Sequence, residues 1–333
     1  MNKNSYLCNF INENENWQEL LTSMNVKFKI EGSFAIFSYD IIADFTNPVV
    51  QEARGIIIDL STLEVICWPF RKFGNYNESY ADEIDWSNAC VQEKIDGSII
   101  KLWFYADEWH WSTNGTIDAN NATANSISNH SFMDLIRMAE NYHDIQFDQL
   151  NTDYTYIFEL VSPENKIVID YGNKYHLYHL GTRNNLTGEE YNLDIGIDKP
   201  HVYNINSFED CIDAVGKLNT KDSITNEGFV VVDGHWNRVK VKSPVYVAMH
   251  HLMGNHIFTK TRCLELLIND PDKVTTVIKE FPQYTHIFKY YEYKIAEVKY
   301  EITNFIIRNT SKCTNKAKKK IKTKKQNTKQ NTN

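Results

Sequence analysis

Most of the first 250 positions alternate between short apolar runs and clusters of turn-forming residues. Within the runs, apolar side chains recur at every second position, as they do on one face of a half-buried strand. Asn, Asp, Gly and Pro separate them, as hairpin connections require. The predicted strands are 34–39, 53–60, 64–70, 98–105, 108–113, 154–161, 166–171, 175–181, 227–233 and 238–243.

Helical periodicity is confined to a few segments until the last quarter of the chain. Helices are predicted at 16–24, 130–142 and 207–218, and from Thr261 to Ile307 apolar residues recur at three- and four-residue steps. The pattern therefore predicts an α+β protein. A mainly antiparallel β domain at 1–252 precedes a small helical domain at 253–311, and residues 312–333 form a tail.

The tail is strongly basic, so the net charge of the whole chain understates how acidic the rest of the protein is. The whole chain carries −8, but residues 312–333 hold nine lysines and no acid, so residues 1–311 carry −17. Without apolar periodicity, this Lys-rich segment is predicted to be disordered. Two roles are compatible with this composition: an arm that contacts nucleic-acid phosphates, or a tail that increases solubility.

Other features of the composition point to a protein that stays inside the cell. The six cysteines are far apart and form no C-x-x-C pair, which favours reduced thiols over disulfides or a zinc site. The first residues do not resemble a secretory leader, and no apolar run approaches the ~20 residues of a membrane span. We expect an intracellular, cytoplasmic monomer without membrane contact.

The first candidate for chemistry is Lys94 in the segment "EKIDGS" at 93–98. An amine attacks phosphorus only when it is unprotonated, and free lysine titrates at ~10.4. Burial beside apolar residues such as Ile95, together with neighbouring cations, would lower the pKa of Lys94. We expect Gly97 to adopt a positive φ and to let a ligand approach the backbone. A lysine in a solvated turn is the alternative.

A second candidate lies in "NEGFVVVDGHWNRVKVKSPVYV" at 226–247. Strand period places Arg238, Lys240 and Lys242 on one face, and Lys240 to Lys242 spans about 7 Å. The Asp-Gly turn between the two strands predicts Glu227 close to Lys242. A carboxylate beside phosphate-binding lysines suits Mg²⁺. The alternative is a cross-strand ion pair on a solvated face.

Three further charged residues are candidates because of where they lie. Glu159 shares a strand face with apolar Ile157 and Val161, so it is either directed at a ligand or paired with a structural arginine. Arg54 and Lys72 precede the candidate nucleophile in "EARGIII" and "RKFGNYNE". Individually, neither residue is informative.

The order of these segments resembles that of a known family. "ARGIIID", "KFGNYNE", "EKIDGS", "FELVSPENKIVIDY", "NEGFVVV" and "KVKSPVYVAMH" follow one another within residues 34–250. This resembles the covalent nucleotidyltransferases, and among them the ATP-dependent RNA ligases of the T-even bacteriophage RNA ligase 1 type. The resemblance implies a ligase adenylation domain that uses ATP and Mg²⁺ (or Mn²⁺) to join 5′-phosphate and 3′-hydroxyl RNA ends, with RNA repair as the expected role.

The resemblance also implies a role for each matching residue. Lys94 would attack the α-phosphate of ATP and carry AMP, while Glu227 and, in the helical domain, Asp272 would help to place the metal. Glu159 would accept a hydrogen bond from the ribose. The implied nucleotide-binding residues are Tyr39, Arg54, Lys72, Glu159, Lys240, Lys242 and Tyr246.

Two departures from the phage pattern leave other functions open. Asn114 stands where the phage enzyme has a lysine, and the helical region is shorter than its counterpart. An inactive descendant that only binds RNA is one alternative. A DNA ligase or an mRNA guanylyltransferase is another, although both normally continue into an oligonucleotide-binding barrel where this chain is predicted to be helical.

Overall fold

The computed structural model describes residues 5–124, 129–219, 224–253, 260–269, 271–280 and 282–306. The chain divides into two compact units, Met1–His250 and His251–Asn333. The domain limits expected at residues 252 and 311 stay predictions. The Lys-rich tail lies outside the described residues.

The first unit is built on three sheets. Their strands are β1 Val26–Glu31, β2 Phe34–Tyr39, β3 Arg54–Asp59, β4 Glu64–Cys67, β5 Cys90–Glu93, β6 Ser98–Tyr105, β7 Glu108–Thr113, β8 Tyr154–Val161, β9 His176–Asn184, β10 Glu190–Tyr191, β11 Val202–Tyr203, β12 Gly228–Val232 and β13 Arg238–Lys242. The helices are α1 Tyr6–Glu13, α2 Trp17–Ser23, α3 Pro48–Glu52, α4 Phe132–Met138, α5 Phe208–Leu218 and α6 Pro244–Met253.

Every ladder between these strands is antiparallel, which confirms the predicted sheet type. Sheet 1 has the order β1-β2-β3-β4, sheet 2 the order β10-β9-β8-β6-β7, and sheet 3 the order β11-β5-β12-β13. The strands of sheet 3 come from distant parts of the chain, so β5, which precedes Lys94, lies beside the β12–β13 hairpin.

The strand period decides which face of each sheet is buried. On β8, Tyr156, Phe158 and Leu160 pack into an apolar cluster with Ile100 and Leu102 of β6. The intervening residues of β8, which include Glu159, consequently face the other side. The predicted division of this strand into an apolar face and a face carrying the carboxylate is confirmed.

The predicted strand at 166–171 is wrong. The backbone N–H groups of Val168 and Ile169 donate to Oδ2 of Asp96 at 2.9 and 2.7 Å. A side chain therefore takes the donors that a ladder would need, and the segment stays irregular although Ile169 is buried. In this segment the alternation of apolar residues reflects burial and not pairing with another strand.

The second unit is helical throughout its described part. α7 Lys260–Asn269 and α8 Pro271–Glu280 are followed by a single turn at Pro282–Tyr284 and a helix at 285–306. This confirms the helical period read from the sequence, with Pro271 at the start of α8. None of the described helices combines the length and apolar character needed to cross a membrane.

Candidate active site

The site begins at the loop that joins β5 to β6. The backbone N–H of Lys94 donates to Gly228 O at 2.8 Å, which ties the loop to β12. The side chain of Lys94 is only 21% exposed, and its Nζ lies 2.7 Å from Oε2 of Glu227. The alternative of a lysine in a solvated turn is therefore wrong.

Glu227 is a buried carboxylate shared by two lysines. Its side chain is 3% exposed, and its second oxygen, Oε1, lies 2.8 Å from Nζ of Lys242. The contact follows from the hairpin register, which pairs Gly228 with Lys242. The predicted proximity of Glu227 and Lys242 is confirmed, and the pair is not on a solvated face.

A cavity of about 190 Å³ opens beside these groups. Arg54 reaches it from β3, Glu159 from β8, and Lys240 from β13, two residues before Lys242. Gln92, Glu93 and Arg238 also line it. The apolar residues of its wall are Phe70, Phe73, Ile95, Ile99, Leu180, Pro200 and Val230.

Aromatic rings hold the cations of this site. The ring of Phe73 lies between two of them, with Arg54 Cζ 5.2 Å and Lys240 Nζ 4.8 Å from its centroid. Within the described residues, no carboxylate oxygen lies within 4.0 Å of Arg54, Lys72 or Lys240. Faces of aromatic rings attract cations without neutralising them. These basic side chains consequently stay available to an anion.

Lys72 is held in the same way. Its Nζ lies 4.7 Å from the ring centroid of Phe45 and 5.3 Å from that of Tyr39. Burial, followed by the charge of Arg54, lowers the pKa of Lys72 below its ordinary value. The predicted site residues Tyr39 and Lys72 therefore lie together.

Lys240 lies among several other basic side chains. Burial and then the charges of Lys72, Arg54, Lys242 and Lys94 lower the pKa of Lys240 to about 6. At neutral pH this amine is largely unprotonated in the ligand-free protein. An anion that brings compensating charge would restore its proton.

The expectation that Lys94 has a lowered pKa is wrong for the ligand-free protein. Burial acts in that direction, but the charges of Glu227 and then Glu159 outweigh it and raise the pKa of Lys94. Burial would raise the pKa of Glu227, yet Lys94 and Lys242 lower it. Burial raises the pKa of Glu159 to about 7. The nucleophile candidate is thus held as an ammonium by its carboxylates.

Asp96 fixes the loop that carries Lys94. It is 2% exposed and accepts a hydrogen bond of 2.8 Å at Oδ1 from the hydroxyl of Tyr246 on α6. The ring of Tyr246 in turn lies 5.5 Å from Nζ of Lys242. Tyr246 therefore lies between the Lys94 loop and the end of β13.

The structure gives a different reason for Gly97 than the one expected. Its φ is not positive. A Cβ at this position would instead collide with the carbonyl oxygen of Leu160 and lie 3.1 Å from Cγ of Glu159. Gly97 is needed because β8 passes against the loop.

The contacts described so far include neither Asp272 nor Asn114. Asp272 is the second residue of α8 in the second unit, and its side chain lies outside the described residues. Asn114 follows β7, and its buried Oδ1 has no hydrogen-bond partner.

Comparison with known proteins accounts for this arrangement. The family model described as "RNA ligase" matches residues 52–246, which span Arg54, Lys94, Glu227 and both β13 lysines. The chain belongs to the RNA ligase family. It is 31% identical over 277 residues to a protein of Autographa californica nuclear polyhedrosis virus named as a bifunctional polynucleotide kinase/RNA ligase.

Coverage of the relatives differs. The match to the baculovirus protein covers 76% of this chain but only 38% of that protein. The RNA ligase of Rhodothermus phage RM378 is 23% identical, and the match covers 90% of this chain and 84% of the phage protein. Among relatives of this family, the chain thus spans most of one and little more than a third of another.

Solved structures share the fold with this RNA ligase family member. An archaeal ATP-dependent RNA ligase superposes with a TM-score of 0.51 and 13% identity, over 84% of this chain and 73% of its own. A protein of Aquifex aeolicus named as an ATP-dependent DNA ligase gives the same TM-score and identity, over 83% and 75% of the two chains. The fold alone therefore does not separate RNA from DNA ligases.

The donor set fits a metal only in combination with a ligand. Among the described residues, no cluster of three or more His, Cys, Asp or Glu side chains could hold an ion. Mg²⁺ commonly takes one or two carboxylates and completes its octahedron with phosphate oxygens and water. In this RNA ligase family member, Glu93 and Glu159 line the cavity, and Glu227 contacts the cavity-lining residues Lys94 and Lys242.

Several residues of the site were missed in the sequence. Phe45 and Phe73 hold cations, although Phe73 directly follows Lys72 in a segment that was singled out. Asp96 lies inside "EKIDGS" and received no role. Phe73 could have been suggested by its position next to Lys72, but Phe45 lies between Asp44 and Thr46, and the partners of Asp96 are about 70 and 150 residues away.

Gly97→Ala tests how tightly β8 packs against the Lys94 loop. Because the added methyl collides with a backbone carbonyl, we expect a loss of about 1–3 kcal/mol in the free energy of unfolding. Urea denaturation measures it. Gly115→Ala is the matched control, since a Cβ there meets nothing within 4 Å. Equal stability of the two variants would contradict the proposed contact.

Proposed function

We propose that this protein is an ATP-dependent RNA ligase that works through a lysyl-AMP intermediate. The observation that carries the proposal is the position of Lys94, whose buried amine contacts Glu227 at 2.7 Å and lines one cavity with Arg54, Lys240 and Lys242. A nucleophile beside uncompensated cations suits attack on a polyphosphate. Membership of the RNA ligase family supports the same chemistry.

The reaction would take three balanced steps. Nζ of Lys94 attacks the α-phosphorus of ATP, loses a proton, and the bond to the β-phosphate breaks to release pyrophosphate. An oxygen of an RNA 5′-phosphate then displaces the amine, which takes up a proton, and carries AMP. Finally a 3′-hydroxyl attacks that 5′-phosphate, a phosphodiester forms, and AMP leaves.

The cations are proposed to neutralise charge as pyrophosphate departs. Arg54, Lys72, Lys240 and Lys242 come from β3, the segment after β4, and β13. Preorganised charge in a water-poor cavity stabilises a developing anion more strongly than solvent would. Glu159 is proposed to accept from the ribose, and Tyr39 and Tyr246 are proposed to contact the nucleotide or keep the pocket in shape.

Lys94 must lose its proton before it attacks, and Glu227 controls this step. In the ligand-free protein Glu227 and Glu159 keep the amine charged. A bound Mg²⁺ or Mn²⁺ would supply positive charge at the phosphates and at Glu227, with Asp272 as a second proposed acidic residue. Drawing Glu227 away from Lys94 leaves burial and the neighbouring cations to lower its pKa.

Membership of the RNA ligase family, together with one feature of the described chain, supports an RNA ligase over the related enzymes. After β13 the described chain continues as α6, α7 and α8, without the barrel that DNA ligases and guanylyltransferases normally place there. A descendant that only binds RNA would not need a buried lysine paired with a buried carboxylate. RNA ends with 5′-phosphate and 3′-hydroxyl groups, a monomeric state and a cytoplasmic location are parts of the proposal.

Labelling with α-³²P-ATP and a divalent metal tests the intermediate. We expect the wild-type protein to become radiolabelled through an acid-labile bond, and Lys94→Ala to remain unlabelled because the nucleophile is gone. Lys166→Ala, which removes an exposed lysine paired with Asp170, should label normally. GTP in place of ATP, and RNA against DNA ends, test the choice of substrate.

The outcomes separate the alternatives. A wild-type protein that stays unlabelled but binds RNA would favour the binding protein, and labelling by GTP in preference to ATP would favour capping chemistry. Sealing of DNA ends but not RNA ends would contradict the RNA ligase.

The pH dependence of ATP affinity tests the state of Lys240. The pKa of about 6 leaves this amine neutral in the free protein above neutral pH, and bound phosphates would protonate it. Binding therefore takes up a proton, so the association constant should fall from pH 7.5 to pH 9, by up to about tenfold per unit. Calorimetry measures this slope.

Lys240→Arg provides the control because arginine stays charged. In this variant we expect the fall of the association constant with rising pH to be weaker, by up to a factor of about ten per pH unit. Lys242→Arg should keep the slope of the wild type. An affinity that is independent of pH in the wild type would refute the neutral Lys240.

A further inference from the structure

A second buried lysine lies beneath the site, without an acidic partner. Lys101 on β6 has no exposed surface. Its Nζ donates to the carbonyl oxygens of Gly55, at 2.9 Å, and Thr113, at 2.6 Å. In the described part of the chain, no carboxylate lies within ion-pair distance of this amine. Burying a charge without a counter-ion is costly, so the presence of a buried lysine at this position needs a physical reason.

The contact falls at an irregularity of sheet 1. The register between β2 and β3 pairs Phe37 with Ile56 and Ser38 with Arg54, and so skips Gly55. Gly55 has φ +82°, and a Cβ on it would collide with Nζ of Lys101. Gly55 is thus the extra residue of a β-bulge, and the absence of a side chain there makes room for the amine of Lys101. At a bulge, pairing with the neighbouring strand does not fix the backbone.

The residue before this bulge is Arg54. Its guanidinium lines the cavity, lies over Phe73 and donates weakly to Arg71 O at 3.4 Å. Lys101 does not line the cavity. Any influence of Lys101 on a ligand must consequently act through the backbone from which Arg54 projects, or through its charge.

Asn114 adds a second polar group at the same place. Its unpartnered Oδ1 lies 3.0 Å from the position that a Cβ of Gly55 would occupy. An ammonium has three donors, and Lys101 uses two of them on carbonyl groups. Burial, opposed by Cys67 and assisted by Arg54, lowers the pKa of Lys101 to about 8. The amine thus lies against backbone carbonyl groups, and Arg54 is the cation named among the causes that lower its pKa.

We propose that Lys101 is a positioning residue for Arg54, clasping the bulge at Gly55 to the end of β7. Sheet 1 carries Arg54, and sheet 2 continues directly from the Lys94 loop into β6. The clasp fixes a phosphate-binding cation relative to the nucleophile. This inference rests on the proposed function, because it concerns the grip on ATP.

Lys101→Met tests the clasp by removing the amine and keeping the unbranched stem. With Arg54 released, we expect the dissociation constant for ATP, measured by calorimetry, to rise about 10- to 100-fold. Circular dichroism and thermal melting establish that the variant is folded. An unchanged dissociation constant would overturn the proposal.

A double-mutant comparison separates positioning from general destabilisation. In an Arg54→Ala background, Lys101→Met should weaken ATP binding by less than about twofold, because the group it positions is gone. In a Lys242→Ala background it should keep its full effect, since Lys242 is held by Glu227. Equal losses in the two backgrounds would show a merely structural lysine.

A second variant covers the case in which Lys101→Met does not fold. Lys101→Met/Asn114→Lys returns an amine to the same pocket from the end of β7. We expect its ATP affinity to lie within about threefold of the wild type, whereas affinity as weak as that of Arg54→Ala would overturn the clasp. Arg54→Ala and the wild type are measured in parallel.

These affinity measurements do not depend on covalent chemistry. A wild type that binds ATP but never becomes labelled refutes the ligase and leaves the comparison of backgrounds to decide on Lys101. Inorganic pyrophosphate serves as a second probe of the cations. A wild type that binds neither molecule overturns both proposals.

Discussion

The site depends on one buried carboxylate placed among five cations. Glu227 contacts Lys94 and Lys242 at 2.7 and 2.8 Å, and it is the only group that neutralises either of them within ion-pair distance in the described structure. Coulomb interactions in such a cavity are several-fold stronger than in water. Without Glu227, the Lys94 loop and the end of β13 would carry like charges against each other.

The remaining cations are left uncompensated, and this has an energetic consequence. Arg54 and Lys240 lie over the ring of Phe73, and Lys72 lies over the rings of Tyr39 and Phe45, rather than against acids. Their mutual repulsion is relieved in the free protein by the loss of a proton from Lys240. A polyanion relieves this repulsion instead by supplying negative charge. Ligand binding therefore offsets part of the electrostatic free energy that it costs to bring the basic side chains together.

The sequence was informative where contacts are local and uninformative where they are not. The β12–β13 hairpin, with Glu227 opposite Lys242, followed from an Asp-Gly turn and a two-residue period, and β2, β6 and β8 were predicted with their observed limits. The Lys94–Glu227 contact joins residues 133 positions apart. Its effect on the pKa of Lys94 therefore could not be seen in the segment "EKIDGS", which suggested only burial.

The same limit explains Gly97, Lys101 and the segment at 166–171. Gly97 and the segment at 166–171 were interpreted from their neighbours in sequence, and Lys101 was not singled out at all. Their environments are set by β8, by the side chain of Asp96 and by the bulge at Gly55, respectively. Except for Asp272, every residue proposed to contact ATP lies between Tyr39 and Tyr246, within the first unit. The residues proposed for adenylylation thus lie almost entirely in the first unit, and Asp272 is the part of the proposal that requires the second unit.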